Sequence, residues 1–309
     1  MTLPGCRVAA LGFFDGVHVA HRRLISEAVT RAGSEGLEAC VFTFTAENRM
    51  LKPGTPRIYT TEEKLAVFSS LGVGRTILAE FSDVASVEAK TFVREILVGE
   101  LGVRHAVCGY NFRFGRGAVG DANLLFRLMA AAGGTCTVMP PMTEGGVPVS
   151  ATEIRAYIGA GDMKTAARLL GAPYRVSGRV EHGRGVGHTL GIPTVNLSFP
   201  EGICLPRAGV YRSAADVGGV LCDAVTNIGT CPTFGTRPMH AESYLVGYNG
   251  SLYGNKIRIF LLEHLRDERV FPDEKTLKKQ IGLDTNETIR RNAEEKDKGE
   301  WQWQGNGQN

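Results

Sequence analysis

The stretch "LGFFDGVHVAH", Leu11 to His21, decides how the first half of the chain is read. An apolar strand runs into Gly12, an Asp15-Gly16 turn follows, and His18 and His21 then enter a helix. Strand, glycine turn and helix start together make an anion site, because the first backbone N–H groups of a helix point outward without intrahelical partners and favour phosphate. Two histidines at i and i+3 share a helix face and add donors to it. The same letters permit a metal clip or an ordinary helix start. A zinc site would need a glutamate between the histidines, a third ligand or a cysteine pair, and none is at hand. An ordinary helix start accounts for the glycine and the aspartate but not for the paired imidazoles.

Outward from this stretch, residues 7 to 172 alternate short apolar runs with longer amphipathic segments, the pattern of parallel strands joined by helices. The strands read as "RVAALGFF", "EACVFTF", "RTILAEF", "RHAVCGY" and "TCTVMP". Helices are expected after His21 and over "TEEKLAVFSSLG", "SVEAKTFVREILVGEL", "ANLLFRLMAAAGG", "ATEIRAYIGAG" and "DMKTAARLLG". Gly171 and Pro173 stop the last of these, so the domain boundary is placed at 172. From Tyr174 to about Leu265 β-branched and aromatic runs punctuated by glycine predict an antiparallel barrel or sandwich. Beyond it, "PDEKTLKKQI" and "NETIRRNAEEKDKGE" read as two helices, the second mostly solvated, and residues 299–309 as a frayed tail.

Composition narrows the function classes. With 35 basic against 32 acidic residues the formal charge is +3, far from the dense basic stripe of a nucleic-acid binder. Small anionic molecules remain as partners; oligomeric state is not readable. Seven cysteines form no C-x-x-C pair and fit neither a disulfide framework nor a structural zinc site, so they are expected to be reduced core thiols of a cytoplasmic protein. No apolar run reaches membrane-spanning length, and no leader is recognisable.

Two further stretches in the first half support the phosphate reading. "GYNFRFGRGAVGD", Gly109 to Asp121, is a basic, aromatic, glycine-rich loop after a strand, suited to a planar ring that carries a phosphate. Asn111, Phe112, Arg113, Phe114 and Gly115 are its candidate ligand residues. "VSATEIR", Val149 to Arg155, places Ser150 and Thr152 at a helix start with Arg155 one turn on. Each alone also reads as a surface loop or an ordinary helix cap.

In the second half, "GRVEHGRGVGHTLGIPTVNL" carries Gly183, Gly185 and Gly187 ahead of Thr194 and Asn196. So much glycine weakens a strand and serves close approach of backbone to a ligand. Thr194 and Asn196, two apart on a strand, put two neutral oxygens on one face, suitable for a Mg²⁺ that keeps water and phosphate as its other ligands. Glu242 in "HAESYLVGY" reads by pattern alone as a solvated edge carboxylate.

The order "GFFDGVHVAH", "GYNFRFGRGAVGD", "SATEIR" resembles the FMN adenylyltransferase module of bacterial bifunctional riboflavin kinase/FAD synthetases. "GRVEHGRGVGHTLGIPTVNL", "TNIGTCPTFG", "AESYLVGYNGSLYG" and "LRDERVFPDEKTLKKQI" resemble their riboflavin kinase module. The resemblance implies an α/β, Rossmann-like nucleotidyltransferase domain (1–172), then an all-β riboflavin-kinase barrel with carboxy-terminal helices (173–298). By it, His18 and His21 stabilise charge at the ATP α-phosphate, with Gly12, Asp15, Gly16, Ser150 and Thr152 around the phosphates, and Arg155 grips the departing pyrophosphate. The 111–115 segment, with Arg266 and Glu268, lies by flavin. Gly183, Gly185 and Gly187 cover ATP, Thr194 and Asn196 hold Mg²⁺, and Glu242 is the general base. Ala20 replaces the family's glycine in H-x-G-H, and Ala151 and Glu153 depart from S-S-T-R-I-R. Those letters leave open a monofunctional riboflavin kinase whose first domain is a scaffold or flavin-binding module.

Overall fold

The computed structural model describes residues 6–45, 54–183, 192–230 and 239–298. The chain divides into two compact units, 1–151 and 152–309.

The first unit is built on five parallel strands: β1 (Arg7–Leu11), β2 (Glu38–Phe44), β3 (Arg75–Ala79), β4 (Val103–Gly109) and, beyond a small hairpin, β7 (Thr135–Met139). The hairpin strands are β5 (Arg113–Phe114) and β6 (Gly120–Asp121). The sheet order is β3-β2-β1-β4-β7, so β1 pairs with β2 on one side and β4 on the other. The winding reverses between β1 and β4, and in open parallel sheets ligands bind beyond the carboxyl ends of the strands at such a switch point. Leu11 and Cys108 are register partners, so the loops that follow, Gly12 to His18 and Gly109 to Gly117, leave the sheet side by side.

Helix α1 (Val19–Glu35) covers β1, β2 and β4 with Leu24, Ile25, Ala28 and Ala32 buried. α2 (Thr61–Ser70) begins on a capping box between Thr60 and Glu63. After the short α3 (Phe81–Ala85), a single α turn, α4 (Ala89–Thr91), runs into a wider π-helical segment, Phe92–Glu100. α5 (Ala122–Ala131) is capped by Asp121, which accepts from the Leu124 N–H at 2.7 Å. Strand and helix positions follow the expected pattern closely; the two-residue ladders, among them β8 (Thr143–Glu144) with β9 (Val147–Pro148), are too short to carry a periodic signal.

The second unit opens with α6 (Ala151–Ala160) and α7 (Met163–Leu170). α7 packs its buried Met163, Ala166, Leu169 and Leu170 against strands of the second sheet. That sheet has six antiparallel strands, β10 (Tyr174–Arg179), β11 (Thr194–Ser198), β12 (Gly209–Val217), β13 (Val220–Gly229), β14 (His240–Leu245) and β15 (Lys256–Arg266), in the order β10-β15-β12-β13-β14-β11. It curls until the chain just past β10 meets β11, where the Glu181 N–H donates to the Asn196 carbonyl at 2.9 Å. A chain of hydroxyls crosses its interior: Ser213 Oγ lies 2.7 Å from Thr226 Oγ1, which lies 2.8 Å from Ser243 Oγ.

One expectation needs correction. The two carboxy-terminal helices are one, α8 (Glu274–Asp297); its second half is mostly solvated, as expected, with Thr288 and Asn292 buried. Gly282 costs about 1 kcal/mol in a helix interior. Buried polar ties beyond it offset that cost. Arg212, 1% exposed, donates to Asn292 Oδ1 (2.8 Å) and to both Glu295 oxygens (2.6 and 2.8 Å), and Arg266 forks onto Asp284 (2.8 and 3.1 Å).

Candidate active site

At the switch point the backbone is bent into an unusual turn. Phe14, Gly16 and Val17 all have positive φ (56°, 71° and 40°), which a β-branched residue such as Val17 adopts only under strain. Gly16 has a second reason for lacking a side chain, since a Cβ there would stand 3.0 Å from Ile58. The turn is held from outside: the Asp15 carboxylate accepts from the buried Ile58 N–H at 3.0 Å. Gly12 donates to the Phe42 carbonyl, tying the loop to β2.

His18 is the cap of α1. Its Nδ1 accepts from the His21 N–H at 3.3 Å, which fixes the tautomer and leaves the proton on Nε2. The two imidazoles stack with centroids 3.5 Å apart, and the Phe14 ring meets His21 edge-on. Burial pushes His18, 6% exposed, down to about 4. His21 is held well below the ordinary histidine value by burial, then by His18, then by Lys64. Both are neutral at pH 7 without ligand, and His21 Nδ1 is buried with no hydrogen-bond partner among the described residues. Among those residues no group of three or more His, Cys, Asp or Glu is arranged to hold a metal ion.

The neighbouring loop is part ligand surface and part core. Asn111 and Arg113 are exposed. Phe112 stacks on Phe114, and Phe114 packs in turn on Phe92 inside the first unit's core, so its ring serves packing. Gly115, at φ 74°, lies where a Cβ would collide with Ala89. Arg116 pairs with exposed Glu88. Ser150 lies in the first unit, one residue before its end, whereas Thr152 and Arg155 lie on α6 in the second.

In the second unit two of the candidate residues fall on one register row. Asn196 on β11 pairs with Glu242 on β14, which pairs with Asn227 on β13. Strand alternation turns Ala241, Ser243 and Leu245 inward, so Glu242 stands on the opposite, half-buried face. Thr194 Oγ1 donates to Glu242 Oε1 at 2.8 Å. Glu242 is therefore not an edge carboxylate: β13 and β11 flank its strand, and a hydroxyl orients it. A Cβ at Gly183 would collide with the Asn196 amide, so at this glycine the close approach is to a site side chain. Gly185 and Gly187 lie outside the described residues.

Asn227 went unnoticed in the sequence. Its amide donates to Glu268 Oε1 at 3.0 Å and links the Glu242 row to the segment after β15. The alternation of buried Thr226 and Ile228 around a half-buried asparagine was the available signal. Arg266 is committed to Asp284, with the Phe271 ring 5.8 Å from its guanidinium carbon, and so ties β15 to α8. Lys64 and Asp284, both buried and charged, were likewise not singled out.

The comparisons agree with this two-part geometry. A family model described as FAD synthetase matches residues 3–153, and one described as riboflavin kinase matches 170–291. A curated bifunctional riboflavin kinase/FMN adenylyltransferase of Bacillus subtilis is 35% identical, the match covering 92% of each chain. Those of Pseudomonas fluorescens (34%, 91% of each) and Escherichia coli K12 (33%, 91% of this chain and 90% of that one) are similar. A solved Streptococcus pneumoniae structure described as a macrolide-efflux protein matches with a TM-score of 0.83 at 27% identity, covering 94% of this chain and 95% of that one. Among the described residues no helix is long and apolar enough to cross a membrane. With both modules present, in order and over nearly the whole length, the chain belongs to the bifunctional riboflavin kinase/FMN adenylyltransferase family.

Proposed function

We propose that the second unit phosphorylates riboflavin to FMN and that the first transfers the adenylyl group of a second ATP to FMN, giving FAD and pyrophosphate. The observation that carries the kinase half is the Glu242 carboxylate, oriented by Thr194 and flanked in register by Asn196 and Asn227. The ribityl 5′-hydroxyl must lose its proton as its oxygen bonds to the γ-phosphorus and the bond to the β,γ-bridging oxygen breaks. Glu242 takes that proton. Hydroxyl, amide carbonyl and carboxylate make an all-oxygen donor set that fits Mg²⁺, with Thr194 and Asn196 as the residues that would hold it. The ion would neutralise charge on the ATP phosphates.

In the first unit no proton need be removed, because the attacking FMN phosphate is already ionised near pH 7. Its oxygen bonds to the α-phosphorus as pyrophosphate leaves, so positioning and charge stabilisation carry the step. His18 Nε2–H and the outward N–H groups at the start of α1 are the donors, and His21 gains a proton more readily once polyphosphate lies beside it. Flavin is assigned to the Asn111–Gly115 loop. Arg155 is assigned to the departing pyrophosphate on its motif alone. The boundary at 172 and a cytoplasmic location belong to the same proposal. Incubating the protein with riboflavin, ATP and Mg²⁺ and separating the flavins over time tests it. FMN followed by FAD is expected; FMN without FAD would leave the kinase alone. Glu242→Gln should abolish FMN formation and keep FAD formation from added FMN, and His21→Ala the reverse.

A further inference from the structure

The most unusual charge in the first unit is Lys64, on the first turns of α2 and only 1% exposed. Burying an ammonium is costly unless it is well paired, and an apolar residue would pack the same helix face at no such cost. Its Nζ donates to the Phe13 carbonyl at 2.8 Å and to the Phe44 carbonyl at 2.9 Å, with Thr43 Oγ1 at 3.4 Å. Thr43 donates to the same Phe13 carbonyl at 3.0 Å, and the ammonium sits 4.7 Å from the centre of the Phe13 ring. Phe13 lies just past the end of β1 and immediately before the strained residues Phe14 to Val17; Phe44 is the last residue of β2.

The carboxyl ends of parallel strands present carbonyl oxygens, whose negative ends repel a polyphosphate brought to the switch point. We propose that Lys64 is a positioning residue of the adenylyl-transfer site: it covers two of those carbonyls, clamps the turn that carries His18, and brings its ammonium to the histidine pair where the ATP phosphates bind. The reading rests on the first unit being the adenylyltransferase. The charged and titratable groups beside His21 are consistent with it. Among the described residues these are His18, from the cap of the same helix, and Lys64, from α2. In this arrangement Lys64 adds to the burial and the His18 neighbour that hold His21 neutral, and its charge acts on a bound anion through space rather than by contact.

The test uses the full chain with Lys64→Gln, Lys64→Arg and Thr43→Val. Lys64→Gln keeps a donor and loses the charge; it should raise the KM for ATP in FAD formation by about tenfold or more while the KM for FMN changes less than about twofold. Lys64→Arg should recover most of the ATP affinity, and riboflavin phosphorylation should be unaffected in every variant. Thr43→Val, which removes only the neutral donor, should cost markedly less than Lys64→Gln. Equal ATP constants for the glutamine and arginine variants, or a valine variant as impaired as the glutamine one, would overturn the proposal. The wild-type chain supplies a measurement free of folding effects: the Lys64 Nζ resonance should shift on adding pyrophosphate, and an unchanged resonance in saturating pyrophosphate would overturn it. A wild-type chain that forms no FAD would refute the adenylyltransferase reading itself, while the Nζ resonance would still report on Lys64.

Discussion

Acidification should unfold the first unit through its histidines before its carboxylates matter. His18 and His105 are both nearly inaccessible, and burial pushes each down to about 4; His21 is lower than usual for the same first reason. An unfolded histidine takes up its proton near 6.5, whereas His18 and His105 stay neutral in the folded protein until about 4. Between those values the unfolded chain binds more protons, so stability is complete above the unfolded value and falls as pH drops through the window. Going from about pH 7.5 to about pH 5, each such histidine removes about 2 kcal/mol, set mainly by how far the pH lies below the unfolded value. For His18 and His105 together the loss is about 4 kcal/mol, a large share of a domain's whole stability. Urea denaturation at the two pH values, followed by circular dichroism, reads the loss. His18→Gln should have a pH dependence smaller than wild type by about 2 kcal/mol. A variant with the full wild-type dependence would refute the claim that His18 is held neutral in the fold. Pyrophosphate should lessen the wild-type acid loss, because a bound anion favours the protonated imidazole.

Removing the buried cation of the second unit should be costly: Arg212→Met takes away the guanidinium that holds Glu295 at 2.6 Å and lies 3.4 Å from Glu263, a carboxylate also paired with Lys164 and Arg291, and should destabilise by about 3–5 kcal/mol in calorimetry. Arg212→Met with Glu295→Leu should recover part of that, and a single variant within about 1 kcal/mol of wild type would show the ties to be inert. Val17→Gly loses about 1.5–3 kcal/mol of side-chain burial but regains about 1–3 kcal/mol of backbone strain. Its net change in urea denaturation should therefore be near zero, and a large loss would mean that the turn stores no strain.

Much of the fold was legible because its signals are local. The parallel strands of the first unit, the capped helices and the barrel strands repeat with periods of two or 3.6 residues, and glycine, proline and capping residues mark their ends. What was misread had its cause at a distance. "PDEKTLKKQI" and "NETIRRNAEEKDKGE" looked like separate helices because Gly282 and a polar spacer lie between them, but Arg266 and Arg212, from other elements, bind Asp284 and Glu295 and carry α8 through the break. Phe114 looked like a ligand face from its neighbours in sequence and packs on Phe92 in the fold.

The sequence by itself therefore determined the element types, the two-part order and the residue types from which each site is drawn, since those follow from side-chain chemistry and short-range periodicity. Only the tertiary structure decided which of them meet. The sheet order sets the loops after β1 and β4 side by side, strand register aligns Asn196, Glu242 and Asn227, and Lys64 reaches across from α2 to hold the turn before His18. Residues this far apart in sequence are brought together by strand pairing and burial, which optimise the whole sheet and core at once and leave no local trace.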